Sequence, residues 1–379
     1  NNEMKKNLIL SAALLLSATA AMAQSGTFTL KANLKNFGDT VIVFKNRGVK
    51  NDTILVKKDK FTYTTTLEKP MSIIFATPGT FRNTEYKMAR IVAVPGEKAE
   101  LVGDVLTRYD ISGSNFYKQY HSVDLMLEEA EKPFTELRKS IEDRMKNGGD
   151  QNALRKEYQE KAIELEKARN EKVMNYISQH ANEEATAALV PQFQEYDVMQ
   201  KVVNMLSESV RNGRMKAFYQ PLLDQAKAQM EAEEKAKKVQ AAGVEAPDFT
   251  LRDIEGNDFT LSSLRGKYVV LDFWGSWCGW CIKGMPQMKE YYTKYAGKFE
   301  IVGIDCNDTE QKWKDAVKKH ELPWKHVYNP RNGAENICDK YAIQGFPTKI
   351  VLSPEGKIVK TIVGEDPAFY TLLDELLGK

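Results

Sequence analysis

The chain has 379 residues, 42% hydrophobic and 28% charged, which is too long for one compact core and excludes a fibrous or disordered protein. Its 54 basic and 52 acidic residues leave a net charge of +2, which gives no reason to expect a nucleic-acid partner. The four cysteines, Cys278, Cys281, Cys306 and Cys338, all fall in the last third and are too few for a disulfide-stapled scaffold.

The chain opens on a secretory pattern. Lys5 and Lys6 precede an apolar run over 8–20, and Ala21-Met22-Ala23 before Gln24 reads as a cleavage site, so residues 4–23 are expected to be a cleaved signal peptide. The run is shorter than the ~20 apolar residues of a spanning helix. No cysteine lies near the cleavage point, so lipidation there is not expected.

Residues 24–112 read as a β-rich domain. Short β-branched and aromatic runs at 27–32, 40–44, 53–56, 61–66 and 91–94 are punctuated by Gly38-Asp39, Lys58-Asp59 and Pro78-Gly79. A small antiparallel sandwich or barrel fits them. Residues 113–240 read as a helical segment: Leu154, Tyr158, Ala162 and Leu165 lie on one helical face, Asn147-Gly148-Gly149-Asp150 breaks that helix from the one before, and Pro191 and Pro221 mark further helix starts. In residues 243–379, a leading hairpin around 255–257 is followed by strands at 269–274, 300–305, 348–352 and 357–363 with helices between. That alternation implies a central mixed sheet with helices on its faces.

In this last unit, Trp277-Cys278-Gly279-Trp280-Cys281 follows an apolar strand and opens a helix-like stretch. A thiol at a helix N-terminus is stabilised as thiolate by unpaired N–H groups and the helix dipole. A second thiol three residues on can resolve the mixed disulfide that the first one forms. Cys278 is therefore expected to be an exposed nucleophile and Cys281 a buried resolving thiol. Zinc would need two more ligands, and there is no second Cys-x-x-Cys.

Around this motif, Asp272 lies six residues before Cys278, Trp274 and Trp277 flank the site, Pro286 lies eight residues after Cys278, and Phe346-Pro347-Thr348 precedes an apolar strand. On these residues, 243–379 resembles the TlpA/ResA-like branch of the thioredoxin superfamily, with 308–332 similar to that branch's insertion. Residues 26–240 resemble, more weakly, uncharacterised regions that precede such domains in envelope proteins. The resulting fold class is multidomain: a small antiparallel β domain, a helical segment and a C-terminal α/β thioredoxin-like domain.

The resemblance implies catalytic roles for Cys278, Cys281, Asp272 and Pro347. Asp272 would be the acid/base for Cys281, and Pro347 would be cis, exposing Phe346 backbone groups to a substrate peptide. Trp277, Trp280, Phe346 and Thr348 would contact substrate. Two departures bear on this. Trp280 stands where thioredoxin has proline, and Ile301 stands where thioredoxins place a lysine near the buried carboxylate, so Asp272 is expected to lack a cationic partner and to be pushed upward by desolvation.

The implied function is that of a periplasmic thiol–disulfide oxidoreductase that reduces protein disulfides. It would be kept reduced by a membrane thiol donor of the DsbD or CcdA type, with no cofactor and no metal. A disulfide oxidase or isomerase is one alternative. Another is an envelope binding or scaffold protein with an accessory redox domain, in which residues 24–240 recognise a partner or form a homodimer. A peroxidase would need Pro and Thr or Ser before the first cysteine, where this chain has Gly275-Ser276-Trp277. Cys306 and Cys338 are read as two inert buried thiols, with pairing between them left open. His320 and His326 are read as lone residues rather than metal ligands.

Overall fold

A computed structural model describes residues 25–45, 50–331 and 335–378. The expected signal peptide lies outside the described residues. The chain divides into two units between Ala226 and Lys227.

The first unit begins with strands β1 (Gly26–Lys35), β2 (Thr40–Phe44), β3 (Asp52–Leu55), β4 (Lys60–Leu67) and β5 (Met71–Ala76). After the short helix α1 (Pro78–Phe81) come β6 (Met88–Ala93), β7 (Lys98–Asp104) and β8 (Tyr109–Gly113). They form two four-stranded sheets, ordered β4-β1-β7-β8 and β3-β2-β5-β6. Period-2 burial along β1 and β4 sends Phe28, Leu30, Phe61 and Tyr63 inward. β1 and β7 run parallel, so the first sheet is mixed where the sequence pattern suggested antiparallel pairing throughout. β2 to β6 lie between them in the chain and supply the long connection a parallel pair requires.

Helices α2 (Asn115–Lys146) and α3 (Gln151–Gln179) follow, broken at Gly148-Gly149 and restarted by Asp150, whose side chain accepts from the Ala153 N–H. A 3-10 segment over Glu184–Gln192 leads to α4 (Tyr196–Met205), α5 (Glu208–Arg211) and α6 (Lys216–Val239). Pro191 lies inside the 3-10 segment and Pro221 inside α6, so neither marks a helix start. Phe28 and Phe75 of the sheets and Tyr117, Val173 and Leu189 of the helical part belong to one hydrophobic core. Arg214 reinforces it by donating to both Glu97 and Glu184.

The second unit contains β9 (Thr250–Asp253), β10 (Asp258–Thr260), β11 (Tyr268–Trp274), α7 (Gly279–Lys294), β12 (Phe299–Asp305), α8 (Glu310–Lys319) and β13 (Lys325–Tyr328). It closes with α9 (Ile337–Lys340), β14 (Thr348–Leu352), β15 (Ile358–Val363) and α10 (Ala368–Leu377). The seven-stranded sheet runs β10-β9-β13-β12-β11-β14-β15 and is mixed. Strand alternation splits β11 between two cores. Val270 and Trp274 join the layer holding Cys278, Cys281, Met285 and Phe369, while Val269, Leu271 and Phe273 face the opposite layer. Asp272 shares its face with Val270 and Trp274, so it is a carboxylate on the side covered by α7.

Candidate active site

β11 delivers the chain to the loop Gly275-Ser276-Trp277, and Cys278 caps α7. Its Sγ accepts from the Cys281 N–H at 3.2 Å. Cys278 and Cys281 form a disulfide with Cα atoms 5.3 Å apart. Cys278 is only 5% exposed and Cys281 4%, so the first cysteine is not the open thiol that the sequence suggested. Surface at the motif belongs instead to Trp277 and Trp280, 51% and 64% exposed.

The loop is held from outside the motif. Ser276 donates through both its N–H and its Oγ to the Asp308 carboxylate, each at 2.6 Å. The Trp277 indole donates to the Cys306 carbonyl at 2.9 Å and meets the Phe346 ring edge-on at 5.2 Å between centroids. Gly275 is required here because a Cβ would collide with the Trp277 ring and would lie 2.8 Å from the Cys306 oxygen. Lys283 lies over the Trp280 ring, 4.9 Å from its centroid.

On the other wall the Phe346–Pro347 peptide is cis. Pro347 is buried and its carbonyl accepts from the Gly364 N–H. Thr348, placed among the substrate-contacting residues by the sequence, is buried with its hydroxyl donating to the Gly345 carbonyl, which leaves it only its backbone to present.

Beneath the motif lies a buried charge cluster. Asp272 is pushed up to about 6, first by burial, with Lys349 opposing and Glu365 adding to the rise. The expectation that Asp272 lacks a cationic partner is therefore overturned. β11 and β14 pair antiparallel with Asp272 directly opposite Lys349, whose Nζ stands 3.9 Å from Asp272 Oδ1. The same Nζ donates to Glu365 at 2.7 Å. Lys349 is 1% exposed. Ile301 does replace the expected lysine, but topology supplies another from a different strand.

A second raised acid, Asp305, ends β12. Burial, then Asp308, pushes it up to about 8, so it keeps its proton at neutral pH. Cys306 and Cys338 are disulfide-bonded, with Cα atoms 6.9 Å apart, rather than two inert thiols. The end of β12 and the start of α9 meet, which their separation of 32 residues could not reveal. His326 is buried, held low at about 3 by burial, and packs edge-on against Trp274.

Lys349, Glu365, Asp308 and Ser276 escaped the sequence reading. Lys349 carried a signal, being a lone charge inside the otherwise apolar strand Thr348–Leu352, where a lysine is buried only with a partner. Asp308, Ser276 and Glu365 carried none, because loops bring them to the site.

Residues 242–361 match the model of the AhpC/TSA family. Over 130 residues, 34% of this chain and 73% of the relative, the chain is 38% identical to the thiol-disulfide oxidoreductase ResA of Bacillus cereus. The corresponding protein of Bacillus subtilis is 32% identical over 123 residues, 32% of this chain and 67% of the relative. Among solved structures, the thioredoxin domain of a thiol-disulfide oxidoreductase from Bacteroides vulgatus is 32% identical, covering 36% of this chain and 98% of that one, with a TM-score of 0.34. A thiol:disulfide interchange protein from Bacteroides sp. is also 32% identical, covering 37% and 93%, with a TM-score of 0.34.

Proposed function

This chain belongs to the ResA-like family of thiol–disulfide oxidoreductases, and from that premise we propose that it reduces protein disulfides in the periplasm through Cys278 and Cys281. The observation that carries the reading is a Cys-x-x-Cys disulfide whose first sulfur accepts the Cys281 N–H at the start of α7, on the sheet face that also holds buried Asp272. An N-terminal helix site of this kind favours a thiolate.

In the reduced protein the Cys278 thiolate attacks one sulfur of a substrate disulfide. A mixed disulfide forms and the other substrate sulfur leaves with the electron pair. Asp272 then takes the proton of Cys281. The resulting thiolate attacks Cys278, the Cys278–substrate bond breaks, and the second substrate thiolate departs. Two electrons pass from the dithiol to the substrate, and a membrane thiol donor of the DsbD or CcdA type restores them. Trp277, Trp280 and Phe346 form the apolar wall for the substrate peptide, which pairs with the backbone beside Pro347.

Residues 24–240 contain no cysteine and cannot relay electrons. We assign them to recognition or to dimerisation of the chain, as a β-rich part, 24–112, and a helical part, 113–240.

Equilibration of Cys278–Cys281 against a glutathione or dithiothreitol series tests the direction. A reductase should lie near thioredoxin's potential of about −270 mV, whereas a value near about −120 mV would mark an oxidant and overturn the reading.

A further inference from the structure

Across the sheet, one row of residues runs His326 (β13), Gly303 (β12), Asp272 (β11), Lys349 (β14) and Ile362 (β15). The row presents two charged side chains to α7, and a third reaches them from the loop after β15. Glu365 extends inward and its carboxylate occupies the space beside Gly284, one turn beyond Cys281 on α7. A Cβ at Gly284 would run into that carboxylate. In a helix interior glycine costs about 1 kcal/mol relative to alanine, so room for Glu365 is the evident reason for it.

We propose that Lys349 and Glu365 are positioning residues that govern when Asp272 accepts the proton of Cys281, and that Gly284 stays free of a side chain so that Glu365 can take part. The assignment rests on the reading of Asp272 as the base for Cys281 given above.

Charge balance in a space with little water governs this cluster. Lys349 donates to Glu365 at 2.7 Å but lies 3.9 Å from Asp272 Oδ1, which has no hydrogen-bond partner among the described residues. The cluster therefore holds one cation that is committed to Glu365 and a second carboxyl that is left over. With Asp272 ionised it carries a net negative charge. With Asp272 protonated, a Lys349–Glu365 pair stands beside a neutral acid, and the buried charges cancel. Transfer of the Cys281 proton leaves the total charge unchanged and moves the negative charge away from Glu365 onto the Cys281 sulfur, which then attacks Cys278. Glu365 makes Asp272 a stronger base, and Lys349 keeps it from being permanently protonated. The other polar groups facing Asp272 are few. His326 is held neutral by burial. The phenol of Tyr370, from α10, interacts with both Asp272 and Glu365, is itself pushed upward by burial, and donates toward the Gly284 carbonyl; Tyr291 and Glu290 of α7 reach Tyr370 rather than Asp272.

The experiment uses the full chain, with both active-site thiols reduced, mixed with dithiobis(nitrobenzoic acid). Attack by Cys278 releases one coloured thiolate, and resolution by Cys281 releases the second. The rate of the second release is recorded between about pH 5 and pH 9 for wild type, Glu365→Gln, Gly284→Ala and Lys349→Gln. Removing the neighbouring anion, or displacing it in Gly284→Ala, should move the acid-side midpoint of the second release down by about one pH unit, and removing the cation should move it up by a similar amount. Opposite shifts from two side chains in one pair are not produced by loosened packing. Should Lys349→Gln fail to fold, Glu365→Gln and Gly284→Ala still decide the matter. A normal first release with the same second-release midpoint in every folded variant overturns the proposal and leaves the oxidoreductase reading standing. Absence of the first release in wild type overturns that reading and this assignment together.

Discussion

Asp272 is a carboxyl group placed where water hardly reaches it, and its energetics follow from that. Burial raises it from 3.8 to about 6 in the folded protein. The folded state therefore binds this proton more tightly than the unfolded chain, so between pH 3.8 and about 6 stability falls as pH rises. By linkage the ionised group costs on the order of 3 kcal/mol at neutral pH. Asp272→Asn should thus stabilise the second unit at pH 8 by up to that amount and leave it nearly unchanged below about pH 3.8, while slowing resolution of the mixed disulfide. Denaturant titrations at the two pH values, followed by tryptophan fluorescence, check this. Equal stabilisation at both would mean that desolvation of the charge is not what the native state bears. That Cys278 and Cys281 sit at a helix start was readable in the sequence because a strand running into that helix fixes it locally, and the resemblance added Asp272. Lys349 and Glu365 were not readable, since only the pairing of β11 with β14 and the loop after β15 bring them to Asp272.

At the scale of elements, the parts that carry the site are those whose local signals and tertiary pairing agree. β11, β12 and β14 are short apolar runs in the sequence and central strands in the sheet. In the first unit β5 (Met71–Ala76), β7 and β8 went unread; Lys98–Asp104 alternates with charges and Tyr109–Gly113 is short. Pairing of β7 with β1, and of β8 with β7, makes strands of both. The Cys306–Cys338 bridge acts on the same scale. It ties the end of β12, whose carbonyl holds the Trp277 indole, to α9, which leads toward Phe346 and Pro347. Closing a 32-residue loop should stabilise the unit by about 3–4 kcal/mol in the chain-entropy account. Cys306→Ala combined with Cys338→Ala should lower the denaturation midpoint accordingly, with Cys278 and Cys281 still exchanging electrons. If exchange is lost in a folded double variant, the bridge does more than brace the two walls of the site.

For the whole molecule, the residues that report on structure and redox state are unevenly divided. All five tryptophans and all four cysteines lie beyond residue 243, so tryptophan fluorescence sees only the second unit and a thiol reductant can act only there. The first unit owes its stability to a core shared by two sheets and the long helices α2 and α3, with no covalent link in it. Thermal unfolding should accordingly show two steps by far-ultraviolet circular dichroism, because separate cores need not melt together. Reductant should lower only the step that tryptophan fluorescence follows, by several degrees, since two bridges that restrict the unfolded chain are removed from that unit alone. If both steps move together on reduction, the units unfold as one cooperative block, and the first unit is coupled to the redox state of the second despite having no cysteine of its own.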